Sequence, residues 1–383
     1  MAAQRRRLTI LGLDGLSLPL ARRLAELHRL PAVASLATAP SARTVPSELP
    51  ELSPVNWTAL ATASGPETHG VYGFTRLDPT DFSLSLTDFS HVQAPTVFDR
   101  LGEAGLTSRV VNLPNTYPAR PIPGMLVSGF VAPNLHRACH PPMLAAMLEQ
   151  RGYLLEADTT RGAAEPDHLL AQLRQTIASR RSALDLLWDD LDWDCFCLVL
   201  TETDRLFHFL LPAALDPDNH LFAPITAVLR QWDELVGEVL ERHHDLPEPK
   251  RFITVADHGF TETITEVDLN AVLRDMGLLR LRHEPRDEWD TTAIDPASRA
   301  FALDPSRVYI HTSDRFPHGP VPRPRPPPSP GPSATAWPPS STTASPSSSR
   351  STPATTSTTT PPAHRTWWPR PTPVTSSRPS STA

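Results

Sequence analysis

The sequence contains little cysteine, three residues in 383, and this scarcity argues against a small secreted protein held together by disulfide bonds. Cys195 and Cys197 lie two residues apart in an apolar run typical of a buried strand, so both thiols would point to the same face of it. Nothing else in the sequence suggests a disulfide framework or a thiolate metal site. We therefore expect a reduced, cytoplasmic protein.

Long apolar runs are also lacking. The sequence has no stretch of about eighteen uninterrupted apolar residues, and we predict no membrane span. The first residues, Met1–Leu20, superficially imitate a secretion signal because Arg5–Arg7 precede apolar residues. Asp14 interrupts that apolar run and no small-residue cleavage pattern follows it, so we do not interpret it as a targeting segment.

The last 65 residues, Gly319–Ala383, contain no Asp, Glu, Lys, Leu, Ile, Phe or Met. They contain 18 Pro, 14 Ser and 13 Thr instead, so almost nothing apolar is present to offset the entropy of ordering them. We predict a Pro/Ser/Thr-rich disordered tail over 319–383 and a folded domain over 1–318. A proline-rich scaffold function would use Pro322–Pro332 as a polyproline ligand.

Lysine is nearly absent, since Lys250 stands alone beside 34 arginines, and this ratio indicates GC-rich codons. Out-of-frame translation of such codons tends to give Pro, Ser, Thr, Arg and Ala, the residues that dominate the tail. Two hypotheses therefore stay open, a frameshifted translation and a genuine disordered tail. Translating the nucleotide sequence in the other two frames separates them, because a frameshift requires an α/β pattern with a Gly-flanked histidine to continue there.

The body of the chain is acidic. Six of the 35 basic residues lie in the tail, so the first 318 residues carry 29 basic and 42 acidic residues, a net charge of −13. An acidic body argues against a protein that coats nucleic acid, but it is compatible with a local phosphate site. Its length and apolar content suit one large domain or two smaller ones.

Short apolar runs alternate with helical patterns along this body, and they predict an α/β fold around a mostly parallel sheet. The predicted strands are Leu8–Leu13, Val110–Asn112, Met125–Phe130, Cys195–Leu200 and Phe252–Ala256. The predicted helices are Ser17–Leu30, Leu169–Trp188 and one with Pro224 in its first turn.

Asp14, Asp204 and Asp257 each lie at or just past the carboxyl end of a predicted strand, the edge where open α/β sheets bind ligands. His208 follows Asp204 by four residues and His258 follows Asp257 directly, so each imidazole can share an ion with its carboxylate. Carboxylates and imidazoles without thiolates suit Zn²⁺, with Mn²⁺ as the second choice. Each pair also has an ordinary interpretation, a turn-forming Asp beside a solvated His or a pair on a helix surface.

Ser53 is the candidate nucleophile. Pro54 disfavours helical geometry at Ser53, which would then stand near a helix N-terminus, where the N–H groups favour an anion. Asn56 is placed to add a side-chain donor to a phosphoryl oxygen. The alternative is that Ser53 is an ordinary N-cap, and Thr58 and Thr62 are rival hydroxyl groups on the same helix.

In these motifs the chain resembles the alkaline phosphatase superfamily, specifically its type I phosphodiesterase/nucleotide pyrophosphatase branch and the related predicted phosphohydrolase/phosphomutase proteins. The resemblance runs from about Leu8 to Pro320. Its most specific part is Ser53-Pro-Val-Asn-Trp-Thr-Ala-Leu-Ala-Thr-Ala-Ser-Gly-Pro-Glu-Thr-His69-Gly70. Supporting stretches are Leu11-Gly-Leu-Asp14-Gly15, Thr201-Glu-Thr-Asp204-Arg-Leu-Phe-His208-Phe209 and Ala256-Asp257-His258-Gly-Phe260, with weaker ones at Leu113–Pro118 and Leu126–Phe130. It implies an alkaline-phosphatase-like fold with helices on both faces of a mostly parallel sheet.

The resemblance also implies roles for single residues. Ser53 takes the place of the nucleophile, Asn56 that of the phosphate donor, and His69 that of a structural residue closing the nucleophile helix. The implied mechanism has two steps, in which a metal-bound Ser53 alkoxide attacks phosphorus and hydroxide on a second metal then hydrolyses the phosphoseryl enzyme. A sulfatase would need Pro at Val55 and Arg at Trp57, so that chemistry is set aside.

Two divalent ions, Zn²⁺ or else Mn²⁺, follow from the same resemblance. Asp14, Asp257 and His258, together with the nucleophile, match the ligands of one ion. Asp204 and His208 match two ligands of the second ion, which in the family receives a third histidine from further downstream.

That third histidine is the chain's main departure from the family. The downstream candidates are His283, His311, His318 and His364, and none has suitable neighbours in the sequence. Two ligands plus water would hold an ion weakly compared with three. The family core also normally continues past this point, so we expect part of the C-terminal region of the fold to be missing.

The sequence therefore predicts a metal-dependent phosphoryl-transfer hydrolase, a phosphodiesterase or pyrophosphatase acting on a small phosphate ester or nucleotide. The alternative is a truncated, non-catalytic remnant that binds a phosphorylated ligand or nothing. Loops that would set the substrate, such as 75–93 and 261–299, carry no recognisable signature.

Overall fold

A computed structural model describes residues 5–162, 164–287, 290–304 and 307–323. The chain divides into two units, Met1–Pro324 and Arg325–Ala383, and the second lies wholly outside the described residues. The predicted disordered tail therefore falls outside them from residue 324 onward, and the domain boundary at 318/319 stays a prediction.

Ten strands and ten α-helices make up the described part of the chain. The strands are β1 (Arg7–Leu13), β2 (Thr75–Leu77), β3 (Leu84–Leu86), β4 (Ser108–Leu113), β5 (Gly124–Ser128), β6 (Cys139–His140), β7 (Cys195–Leu200), β8 (Lys250–Val255), β9 (Ala300–Asp304) and β10 (Arg307–Ile310). The helices are α1 (Leu18–His28), α2 (Pro31–Ala37), α3 (Ser53–Thr62), α4 (Pro66–His69), α5 (Val97–Glu103), α6 (Met143–Glu149), α7 (Pro166–Trp188), α8 (Glu202–Leu215), α9 (Phe222–His244) and α10 (Leu269–Asp275).

Six strands form the central sheet in the order β6-β5-β4-β7-β1-β8. All neighbours pair in parallel except β6, which runs antiparallel to β5. In the middle of the sheet, Leu11 of β1 lies opposite Leu198 of β7 on one side and Thr254 of β8 on the other. The predicted mostly parallel α/β sheet is confirmed, and all five predicted strands belong to it.

Helices cover both faces of this sheet, as the alternation of side chains along β7 shows. Phe196 and Leu198 belong to the apolar core that α1, α2, α7, α8 and α9 form on one face. Cys195 and Cys197 belong to the core on the opposite face, where α3 and α5 pack. The two thiols share a face as predicted, and all three cysteines are free and buried.

The helix that the apolar stripe after Pro224 predicts is α9. Its buried residues are Ile225, Val228, Leu229, Trp232, Asp233, Leu235, Val236 and Val239. The one charged member, Asp233, accepts hydrogen bonds from the N–H groups of Ala32 (3.1 Å) and Val33 (2.8 Å) at the start of α2. This carboxylate therefore satisfies two N–H groups of a helix end that would otherwise lack partners.

A smaller apolar cluster lies apart from the central sheet. The antiparallel pairs β2–β3 and β9–β10 contribute to it, together with α10. Its most buried members include Phe301 and Phe316, and stacked or edge-on aromatic contacts join them to Tyr309 and His311.

None of the helices in the described ranges is both long and apolar enough to cross a membrane.

Candidate active site

Three carboxylates meet at the carboxyl edge of the central sheet. Asp14 directly follows β1, Asp204 is the third residue of the helix after β7, and Asp257 comes two residues after β8. Because β7, β1 and β8 are adjacent parallel strands, their carboxyl ends lie side by side. One ligand atom each from Asp14, Asp204 and His258 lies within 4.8 Å of the others, and the described residues contain no second group of this kind.

Asp14 is almost fully buried, at 1% exposure, and is held at three points. Its Oδ1 accepts a hydrogen bond from Nε1 of Trp57 (3.1 Å), and its carbonyl accepts one from the hydroxyl of Thr203 (2.7 Å). Its N–H donates to the Leu200 carbonyl at 3.0 Å. The carboxylate is therefore tied to the sheet, to α8 and to α3.

The residue after Asp14 has to be glycine. Gly15 has φ of +69°, and a Cβ there would lie 2.5 Å from Cε2 of Phe260. The Gly15 N–H also donates to Oδ1 of Asp257 at 3.1 Å. The tight turn after β1 is thus linked to the end of β8 through the N–H of Gly15.

Two buried carboxylate oxygens of this cluster have no hydrogen-bond partner, Oδ2 of Asp257 and Oδ1 of Asp204. The Asp257 oxygen lies 3.3 Å from Nε2 of His258. The Asp204 oxygen lies 3.4 Å from Nε2 of His208 and 3.7 Å from Nε2 of His258. These oxygens and imidazole nitrogens therefore face a common space.

His258 points its Nε2 at the candidate nucleophile. Its Nδ1 lies 3.1 Å from the carbonyl of Gly259, an acceptor, which assigns the ring proton to Nδ1. Nε2 then carries a lone pair, and it lies 3.0 Å from Oγ of Ser53. The serine hydroxyl can donate to this nitrogen.

Ser53 is the first residue of α3, and the N-cap is Leu52. The alternative of an ordinary N-cap at Ser53 is therefore wrong, and so is the expectation that Pro54 would keep the serine out of the helix. Both residues fit the first turn because its N–H groups have no intrahelical partners, so the proline loses no hydrogen bond there.

The other polar residues of α3 bind within the protein. Asn56 accepts from the Glu48 N–H at 2.8 Å, and its amide nitrogen lies 3.3 Å from the Leu52 carbonyl. Thr58 donates to the Pro54 carbonyl at 2.6 Å, and Thr62 donates to the Thr58 carbonyl at 2.8 Å. The two rival hydroxyls are thus engaged, whereas the role of Asn56 as a phosphate donor stays a prediction.

His69, expected to close the nucleophile helix, ends α4 instead and is fully buried. Its Nδ1 accepts from the N–H of Val71 at 3.1 Å, and burial lowers the pKa of the imidazole. A neutral ring inside the fold agrees with a structural role.

The site concentrates negative charge in a buried place. Burial, with the charges of Asp257 and Asp204, raises the pKa of Asp14 well above its usual value. Burial also opposes ionisation of Asp204, but the His208 imidazole at 3.4 Å and the charge of Arg205 hold its pKa below the usual value. Without positive charge to balance them, these buried carboxylates disfavour one another's ionised form.

These observations test whether the residues fit a metal ion, and they do. Ligand atoms of Asp14, Asp204 and His258 lie within 4.8 Å of one another, and Oδ2 of Asp257, a buried oxygen without a hydrogen-bond partner, lies 3.3 Å from Nε2 of His258. Buried unpaired carboxylates are costly, and a divalent cation would satisfy them. The mixed oxygen and nitrogen donor set suits Zn²⁺ or Mn²⁺.

The second predicted ion has fewer ligands. The side chain of His208 is 53% exposed and meets only Asp204 at this edge, with its ring edge-on to Phe260. His258, with Nε2 3.7 Å from Oδ1 of Asp204, is the one further histidine of the described residues near them, and the resemblance assigns it to the first ion. His283 lies near Asp290, His311 is buried among aromatic rings in the smaller cluster, His318 is exposed, and His364 lies outside the described residues.

Sequence reasoning missed four residues that shape the site: Trp57, Thr203, Arg205 and Phe260. All four lie inside the motif stretches, but their roles depend on long-range contacts, such as those of Trp57 and Thr203 with Asp14 across 43 and 189 residues of chain. Burial opposes the charge of Arg205, yet Glu156, Asp204 and Asp14 raise its pKa above the usual value, so it stays a cation.

Comparisons with known proteins bear on this site. Residues 8–317 match the profile of the family described as type I phosphodiesterase / nucleotide pyrophosphatase. A crystal structure of phosphonoacetate hydrolase from Sinorhizobium meliloti 1021 in complex with phosphonoformate is 17% identical, with a TM-score of 0.52, and the match covers 72% of this chain and 64% of that one. The structure of the same enzyme in complex with phosphonoacetate is 16% identical, with a TM-score of 0.52, and the match covers 74% of this chain and 65% of that one.

These structures share their fold with this chain, which confirms the predicted alkaline-phosphatase-like architecture. The chain spans slightly less than two thirds of their length. No curated protein sequence matches it.

Proposed function

This chain belongs to the type I phosphodiesterase/nucleotide pyrophosphatase family, and from that premise we propose that it is a metal-dependent hydrolase of phosphate esters. One observation carries the proposal. The Asp14 and Asp204 carboxylates converge with the His258 imidazole at one sheet edge, Asp257 lies 3.3 Å from that imidazole, and its Nε2 lies 3.0 Å from the Ser53 hydroxyl.

The residues proposed to hold the two ions are assigned from the family resemblance, whereas the ligand atoms that lie within 4.8 Å of one another belong to Asp14, Asp204 and His258. Asp14, Asp257 and His258 would bind one ion beside Ser53, and Asp204 and His208 would bind the second. Zn²⁺ suits these donors best. A bound divalent ion supplies Lewis acidity, which lowers the pKa of a hydroxyl group and stabilises negative charge on phosphoryl oxygens.

The chain's own residues then perform the transfer. Oγ of Ser53 forms a bond to phosphorus, the ester P–O bond breaks, and the leaving alcohol departs with a proton. Water hydrolyses the phosphoseryl group in the second step and restores the hydroxyl. Ser53 stands at the N-terminus of α3, whose dipole favours the negative charge of the phosphoryl group.

Burial supports the same chemistry. Ser53 is 9% exposed and Asp257 7%, so little water competes for the nucleophile or for the carboxylates. In such a place electrostatic interactions are stronger than in water, which raises the effect of every oriented charge. Small phosphodiesters and pyrophosphates, including nucleotides, are the proposed substrates.

The test is hydrolysis of bis(p-nitrophenyl) phosphate with added Zn²⁺ or Mn²⁺. Ser53→Ala should lower the metal-dependent rate by at least about 100-fold, because the attacking oxygen is gone. Ser35→Ala is the matched control, since Ser35 is exposed on α2 and bonds only to the Ala32 carbonyl in the same helix. Phosphonoacetate and a phosphomonoester serve as comparison substrates.

The rival hypothesis is a non-catalytic remnant of the family. It predicts equal rates for the wild type, Ser53→Ala and the metal-free control, all at the background of the buffer. Metal-dependent turnover that Ser53→Ala abolishes and Ser35→Ala retains would reject the remnant.

A further inference from the structure

We propose that Arg205 is a built-in counter-ion of Asp204, so that this chain binds one divalent ion tightly and a second, at the Asp204/His208 position, much more weakly. The inference rests on the proposed function for the presence of metal. It goes further because it assigns different metal affinities to the two positions and names Arg205 as the cause of the difference.

Arg205 is a fixed cation beside the carboxylate cluster. Its Nη1 lies 3.4 Å from Oδ2 of Asp204, and its Nε lies 3.5 Å from Oε1 of Glu156. Its Cζ lies 3.9 Å from the ring centroid of Phe130, at the carboxyl end of the sheet, and the side chain is only 12% exposed. Two carboxylates and an aromatic face therefore hold the guanidinium in place.

The two oxygens of Asp204 face different partners. Oδ2 faces Arg205, whereas Oδ1 faces the imidazoles of His208 and His258 at 3.4 Å and 3.7 Å. One oxygen is thus already neutralised by a permanent charge. Only the other is free to serve as a strong anionic ligand to an ion.

The ligand sets of the two positions differ as well. Asp14, Asp257 and His258 are all largely buried and have Ser53 beside them. The second position has the half-exposed His208 and a carboxylate shared with Arg205, and the one other histidine that approaches Asp204 among the described residues, His258 at 3.7 Å, is a ligand of the first position in this proposal.

Charge repulsion adds to this shortage of ligands. A divalent ion at the second position would share Asp204 with a guanidinium that cannot lose its proton. In a partly buried site, repulsion between a guanidinium and a divalent ion a few ångströms away raises the dissociation constant of the ion by about 10-fold or more. The second ion should therefore bind at least about 10-fold more weakly than the first.

Arg205→Met tests the inference, because methionine keeps an unbranched apolar side chain against Phe130 but carries no charge. Chelator-stripped protein is titrated with Zn²⁺ against a chromophoric competitor, and native mass spectrometry counts the ions per chain. We expect the second ion to bind about 10-fold more tightly in Arg205→Met, with the first step unchanged within about threefold. Arg205→Lys keeps the charge and should leave the second ion weak.

Two further variants serve as controls. His208→Ala should remove the second binding step and leave the first. Arg181→Met removes another partly exposed arginine, paired with Glu238 on the helical layer, and should change neither step. Circular dichroism checks that each variant folds, and Arg205→Gln replaces Arg205→Met if methionine does not permit folding.

Equal affinity for two ions in the wild type, or a second ion that binds no more tightly in Arg205→Met, would overturn the inference. Either result is compatible with metal-dependent hydrolysis, so the proposed function would survive it. Absence of Zn²⁺ binding in every variant would reject both.

Discussion

The contact between Gly12 and Trp57 couples the central strand of the site to the helix that carries Ser53. A Cβ on Gly12 would lie 2.6 Å from Cη2 of Trp57 and 2.9 Å from Cγ2 of Val199, both too close for carbon atoms. Neither neighbour has room to move, since Trp57 is 1% exposed and Val199 is fully buried. Gly12→Ala should therefore force α3 away from β1.

Two opposing contributions determine how much Gly12→Ala changes the free energy of unfolding. Overpacking a filled core costs about 1–3 kcal/mol. Replacing a glycine inside a strand returns about 0.5–1 kcal/mol through the smaller entropy of the unfolded chain. We expect a net loss of about 1–2 kcal/mol in the free energy of unfolding. A displaced Trp57 would also lose its 3.1 Å hydrogen bond to Asp14, so Zn²⁺ binding should weaken in the same variant.

Urea unfolding of the chelator-stripped protein at pH 7 measures the first effect and a Zn²⁺ titration the second. Gly237→Ala in α9 is the matched control, because a Cβ there would make an ordinary 3.8 Å contact with Cβ of Ala32. Alanine in that helix should stabilise the protein by about 0.5–1 kcal/mol. If Gly12→Ala is as stable as the wild type and binds Zn²⁺ equally well, the proposed coupling through Trp57 is wrong.

Two further predictions concern buried titratable groups. Burial lowers the pKa of His28 below its value in the unfolded chain, about 6.5. Its neutral form therefore contributes to the free energy of unfolding fully above that pH, and the contribution is lost as the pH falls. His28→Gln should reduce the loss of free energy of unfolding between about pH 7 and 5, whereas His220→Gln, at an exposed histidine, should not. Burial raises the pKa of Cys139 and of Cys195 to about 12. A thiol reagent at pH 8 should therefore label no cysteine of the native protein within minutes, but all three cysteines in urea. Rapid labelling of the native protein would contradict their burial.

The sequence predicts the central strands well because they are continuous apolar runs buried on both faces. Cys195–Leu200 is predicted with its observed bounds, and the other four strands differ by at most two residues at either end. The helix predicted over Ser17–Leu30 ends early, at His28, because Arg29 adopts a left-handed conformation and Pro31 starts a new helix. Apolar spacing alone does not reveal such a break.

Other strands were missed for a physical reason. The pair β2–β3 has three residues in each strand and β6 has two, too few for alternation to be recognised. The pair β9–β10 is held by the aromatic cluster around Phe301, a set of contacts that no local pattern encodes. Their pairing depends on tertiary packing rather than on propensity.

The candidate site also combines features that the sequence predicts with features that depend on tertiary packing. That Asp14, Asp204 and Asp257 follow strands can be read from the sequence, but their meeting depends on β1 lying between β7 and β8. Strand order is a long-range property, so the sequence alone could not decide which carboxylates become neighbours. The contacts of Trp57 and Arg205 depend on that order in turn.

The strand order also shows why the site is hard to explain by stability alone. Placing β1 between β7 and β8 brings three carboxylates into a buried space, which raises the pKa of Asp14 and leaves two oxygens without hydrogen-bond partners. Such groups destabilise a fold unless positive charge compensates them. Arg205 compensates one oxygen of Asp204, whereas among the described residues no arginine or lysine forms a salt bridge with Asp14 or Asp257. A cation at that position would bind the folded chain and not the unfolded one, so the cost of assembling the cluster becomes part of the affinity for metal.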